Sequence, residues 1–210
     1  MNKLKIKVCG MRDPENISGV VAAMPDYLGF IFYPKSKRFV GFESSPEMYA
    51  EIPDSVKKVG VFVNESPEKV LEISKKWNLD VVQLHGDESP EYCRQIQDSG
   101  ITVFKAFSVD ESFDFAILKA YSGVCDYFLF DTKGKLPGGT GQKFNWQLLE
   151  SYKLKIPFFL SGGISPDDLN TIREFIHPQQ IGIDINSGFE ISPAVKDIRK
   201  VKKFIAEIRS

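Results

Sequence analysis

Two side chains that close apolar runs are of types that move protons: the thiol of Cys9, after Leu4–Val8, and the carboxyl of Asp131, after Tyr127-Phe128-Leu129-Phe130. Other polar residues stand at similar points, with His85 after Gln83-Leu84 and Asp184 and Asn186 on either side of Ile185. Cys9 reads either as a small buried hydrophobe or as a reactive thiol. His85 fits an acid/base, a donor that holds a ligand, or a satisfied structural histidine. His177, beside Pro178, lies after a helical stretch, away from any strand end, and reads as structural. Arg38, in Tyr33-Pro34-Lys35-Ser36-Lys37-Arg38-Phe39, is either solvated surface or, with Lys35 and Lys37, a basic rim able to grip a carboxylate in bidentate fashion.

Two loops of small residues follow apolar runs near the C-terminus: Ser161-Gly162-Gly163-Ile164-Ser165-Pro166 and Asn186-Ser187-Gly188. Small residues let backbone N–H groups come close to a ligand, and a pair of such loops predicts a phosphate site. Lys5, Lys7 and Cys9 share one face of the first strand, so Lys7 is expected beneath Cys9, where its ammonium would favour the thiolate or pair with a carboxylate such as Asp184. The Gly-rich stretch from Asp131 to Gly141 is expected to be a lid over the site.

These residues need a frame that brings strand ends together. Eight apolar runs have strand character: Leu4–Cys9, Tyr27–Phe32, Lys57–Val63, Asp80–Leu84, Thr102–Phe107, Tyr127–Phe130, Pro157–Leu160 and Ile181–Ile185. Helix starts recur between them as Asp13-Pro14-Glu15, Ser66-Pro67-Glu68, Ser89-Pro90-Glu91 and Ser165-Pro166-Asp167, each an N-cap, then Pro, then an acid. Lys196–Ile208 is expected to be a closing helix with a basic outer face. Repeated strand–helix units predict an α/β fold, a single-domain (β/α)8 barrel over residues 1–210, with its site at the C-terminal ends of the strands. A doubly wound open sheet competes, but no G-x-G-x-x-G follows the first strand.

Composition narrows the function classes. The 27 Lys+Arg and 28 Asp+Glu of the 210 residues leave a formal charge of −1, which argues against a nucleic-acid clamp built on bulk positive charge. No run approaches a membrane span, and MNKLKIKVCG has no apolar stretch of the kind a signal peptide carries. Cys9, Cys93 and Cys125 have no metal-ligand spacing and fit a reducing cytoplasm, and two histidines make a His-rich metal centre improbable.

Taken in order, Lys7-Val8-Cys9-Gly10, Gly29–Tyr33 with Ser36–Val40, Val59–Asn64, Gln83-Leu84-His85-Gly86, Phe130-Asp131-Thr132 with Gly138–Gly141, Ser161-Gly162-Gly163 and Asp184–Glu190 before Lys196-Asp197 resemble the phosphoribosylanthranilate isomerases over nearly the whole chain. Departures from that pattern include Met11, Arg12, Lys37 and Ser161, none of them at the residues that carry the chemistry. The resemblance implies a (β/α)8 enzyme of tryptophan biosynthesis with no cofactor and no metal. It implies Asp131 as general acid at the furanose oxygen and Cys9 as general base at C2. It implies Arg38 at the anthranilate carboxylate, Gly162, Gly163, Ser187 and Gly188 at the phosphate, and Asp184 at the sugar, with His85 and Asn186 also among the substrate-binding residues. The expected partner is a phosphorylated small molecule, for a monomer or homodimer. Another sugar-phosphate barrel enzyme and a non-catalytic phosphoryl-ligand barrel are the alternatives.

Overall fold

The computed structural model describes residues 3–42, 44, 49, 51–132 and 144–210. Eight strands, β1 (Lys5–Cys9), β2 (Tyr27–Ile31), β3 (Lys57–Phe62), β4 (Val81–Leu84), β5 (Thr102–Val109), β6 (Tyr127–Thr132), β7 (Phe158–Leu160) and β8 (Gln180–Ile185), close in chain order into a barrel. All eight neighbouring pairs are parallel, and β1 meets β8 with Lys7 opposite Asp184. Each expected run therefore contains a strand, with ends that differ by a residue or two.

Alternation along the strands divides the core into two. Cys9, Val59, Val61, Val81, Phe104, Ala106, Leu129 and Phe159 fill the barrel interior. Ile6, Val8, Val82, Leu84, Phe128 and Phe130 face outward into the larger core beneath the surrounding layer.

The helices α1 (Pro14–Val21), α2 (Pro67–Trp77), α3 (Pro90–Gln97), α4 (Leu169–Glu174) and α5 (Ile198–Arg209) form part of that layer. Three of the expected caps are made: Asp13 accepts from the Asn16 N–H, Ser66 from Lys69 and Ser89 from Tyr92. At the fourth start, Ser165 donates to Asp168 through N–H and hydroxyl and opens a 3₁₀ turn, Pro166–Asp168, ahead of α4. Among the described residues, the links after β5 and β6 carry 3₁₀ turns, Phe115–Tyr121 and Trp146–Ser151. No helix among the described residues is long and apolar enough to cross a membrane.

The closing helix begins later than its sequence pattern predicts. Lys196 belongs to a short strand, β10 (Val195–Lys196), paired with β9 (Glu190–Ser192), and is buried rather than on a basic outer face. Asn16 fixes it by donating to the Lys196 carbonyl and accepting from its N–H, while Asp197 caps α5. Of the expected lid, Asp131 to Gly141, residues 133–141 lie outside the described residues.

Candidate active site

The odd positions of β1 turn inward, as period 2 requires. Lys7 is fully buried with its Nζ 2.9 Å from Asp184 Oδ1, and Cys9 lies above it at the strand end. Gly29, opposite Cys9 in the ladder, makes this crowding possible: a Cβ there would stand 2.8 Å from Cys9 Sγ and 3.2 Å from Lys7 Nζ.

Both expected partners of Lys7 act on it together, since the field of Cys9 adds to that of Asp184. Burial nevertheless pushes the Cys9 thiol above its ordinary value, against the downward pull of Lys7 and Lys196. Lys7 thus favours the thiolate, as expected, but desolvation outweighs it. Burial alone would lower Lys7, but Asp184 and Cys9 outweigh it and hold the ammonium charged. Asp184 is raised by burial, with nearby Asp131 adding to the effect and Lys7 opposing it.

Across the mouth, Asp131 Oδ2 lies 3.2 Å from His85 Nε2, and Oδ1 accepts from the Thr132 N–H at 2.8 Å. Gly162, in the left-handed region at φ +90°, packs against this corner, where a Cβ would overlap Thr132 and stand 2.9 Å from Asp131 Oδ1. Gly188 has the same role one loop on, since a Cβ there would overlap the Ile164 carbonyl. The two small-residue loops are thus in contact. Ser161, a departure from the family pattern, lies 3.5 Å from Asp184 Oδ2 and supplies a donor to it.

Cys9, Gln83, His85, Asp131, Asp184 and Asn186 face one cleft, with Ser161–Ile164 and Ser187 on its wall. Arg38 is not on that wall. It turns from the exposed Lys35 and Lys37 toward Glu190, which accepts from its Nε at 2.7 Å and its Nη2 at 2.5 Å. Lys196 Nζ joins them, donating to Glu190 Oε1 and Asn186 Oδ1 at 2.7 Å each. Burial alone would raise the Glu190 carboxyl, but Arg38 and Lys196 outweigh it and hold it low, whereas burial lowers Lys196 despite Glu190. The free basic rim read from the sequence is therefore, for Arg38, a half-buried bidentate ion pair.

His177 stacks in the outer layer, with ring centroids 5.9 Å from Tyr152 and 5.0 Å from Phe158, as a structural histidine would. Gln83, Glu190 and Lys196 were not singled out for roles from sequence. Only Gln83 left a signal: a polar residue at an inward position of the apolar strand Val81-Val82-Gln83-Leu84.

The family model for N-(5'-phosphoribosyl)anthranilate (PRA) isomerase matches residues 6–207. The chain belongs to that family. The N-(5'-phosphoribosyl)anthranilate isomerase of Parabacteroides distasonis is 48% identical over 204 residues, covering 97% of this chain and 92% of that one. The crystal structure of phosphoribosyl anthranilate isomerase from Thermotoga maritima superposes with a TM-score of 0.88 at 36% identity, covering 98% of both chains. A crystal structure of a phosphoribosyl anthranilate isomerase in complex with reduced 1-(o-carboxyphenylamino)-1-deoxyribulose 5-phosphate superposes at 0.83 with 33% identity, again covering 98% of both.

Proposed function

We propose that residues 1–210 form one barrel domain that converts N-(5'-phosphoribosyl)anthranilate to 1-(2-carboxyphenylamino)-1-deoxyribulose 5-phosphate, with Asp131 as acid and Cys9 as base. The observation that supports these roles is that thiol and carboxyl face one cleft beside two loops of small residues. Asp131 gives its proton to the furanose ring oxygen. The C1–O bond breaks as the anthranilate nitrogen lone pair forms C1=N. Cys9, acting from its ionised fraction, its thiol proton having been released to solvent beforehand, then takes the proton from C2, and the C2–H electrons form C1=C2 as the C=N pair returns to nitrogen. Tautomerisation of this enolamine places a proton on C1 and leaves the ketone at C2. The rearrangement moves protons within one carbon skeleton, so it balances without a cofactor.

A thiol held high is scarce as thiolate but strong as a base, and C2–H is acidified by the iminium at C1. Lys7 and Lys196 supply the positive field that the thiolate needs when it forms. The Gly162-Gly163 and Ser187-Gly188 backbone would hold the phosphate, and Asp184 and Asn186 the sugar. Glu190 holds Arg38 by Nε and Nη2, and the remaining Nη1 would be the group offered to the anthranilate carboxylate.

The test is incubation of purified protein with freshly made PRA, with the product identified directly because PRA also hydrolyses to anthranilate. Formation of the ribulose phosphate is expected. Anthranilate alone would contradict the assignment.

A further inference from the structure

The cleft wall on β4 holds two polar atoms that the chemistry above does not use. Gln83 is 1% exposed and points inward among the valines and phenylalanines of the barrel. Its Nε2 stands 2.9 Å from His85 Nδ1, two residues on and on the same strand face. Its Oε1 is buried with no hydrogen-bond partner among the described residues, and so is His85 Nε2. Nε2 is 3.2 Å from Asp131 Oδ2, but the ring is not aligned to complete that bond.

We propose that Gln83 is a positioning residue that fixes the proton of His85 on Nε2, so that Nε2–H is the donor His85 offers to an oxygen of the pentose. A neutral imidazole whose Nδ1 accepts from the Gln83 amide must carry its hydrogen on Nε2. That leaves one unused donor, His85 Nε2–H, on the side of the ring away from Gln83. A pentose oxygen, which accepts, is the group that satisfies it. Burying a polar atom without a partner is costly, so a ligand oxygen that completes this bond is favoured. That oxygen would lie next to Asp131 at the ring-opening corner. The ligand role rests on the isomerase assignment; the tautomer does not.

Imidazole nitrogen NMR on the free protein tests the first half, and the chain's two histidines make assignment direct. The Nε2–H tautomer is expected at His85 in the wild type. Gln83→Leu should release a mixture of tautomers, and Gln83→Glu, whose carboxylate draws a proton to Nδ1, should reverse the preference. Both variants should lose roughly 10- to 100-fold in kcat/KM for PRA, the range for one hydrogen bond to a buried partner. An Nδ1–H tautomer in the wild type, or a Gln83→Leu variant unchanged in either tautomer or kcat/KM, would overturn the proposal. If the wild type does not convert PRA, the isomerase assignment falls while the tautomer result stands separately.

Discussion

Of the three lysines buried among the described residues, two, Lys7 and Lys105, stand on barrel strands, and their surroundings differ. Lys105, on β5, is saturated: its Nζ donates to the carbonyls of Leu84, Gly86 and Ala106 at 3.3, 2.7 and 2.9 Å and lies 3.1 Å from Glu88 Oε2. Glu88 in turn accepts from the Asn64 and Gly86 N–H groups. The pair clamps both flanks of His85 and does not line the cleft that holds Cys9 and Asp131. Lys7 instead meets one carboxylate and one thiol, both on the cleft wall. A charge with every hydrogen engaged holds a loop still. A charge shared with titratable neighbours can answer a change of protonation during a reaction. The contrast separates a lysine that builds the site from one that works in it.

The sharpest challenge to that contrast is stability. Lys105→Met leaves Glu88 buried without its cation and three carbonyls without a donor, so urea denaturation should show a loss of about 3–5 kcal/mol. Lys7→Met should cost less, about 1–3 kcal/mol, because Asp184 is already raised by burial and can take up a proton. Equal losses would erase the distinction. The Cys9 thiol should sharpen it from the other side: burial holds its titration midpoint above its ordinary value in the wild type, and loss of the Lys7 ammonium should raise it further in Lys7→Met. An unchanged midpoint would remove Lys7 from the chemistry.

The smallest effect concerns Glu190. Its folded-state carboxyl is held below its ordinary value of 4.5, so its contribution to stability is present above that value and is lost as pH falls through the lower folded value. Glu190→Gln should therefore show a flatter acid limb of stability below about pH 4.5, measured by urea midpoints across pH. A limb as steep as the wild type's would place the acid sensitivity elsewhere.

The barrel was legible because its signals are local. Period 2 puts Lys7 and Cys9 on one face, and an Asp or Ser before Pro starts a helix wherever it stands, so strands and three α-helix caps could be read residue by residue. Strand ends then pointed to Cys9, His85, Asp131, Asp184 and Asn186, which the fold does bring to one cleft. What escaped depends on contacts that spacing does not encode. Arg38 is claimed by a glutamate 152 positions away, and Lys196 is buried because Asn16, 180 positions earlier, fixes its backbone. The direction of the Cys9 shift escaped for a related reason: a strand pattern shows which charge is near but not how dry the site is.

The account's central claim is that Cys9 and Asp131 do chemistry in a cleft whose binding they do not build. The most direct test measures kcat for PRA and the affinity for the reduced product analogue in Cys9→Ala and Asp131→Ala. Loss of about 10²- to 10⁴-fold in kcat with affinity little changed is the predicted result. Parallel losses of turnover and affinity in both variants would contradict it and make the two residues part of the frame.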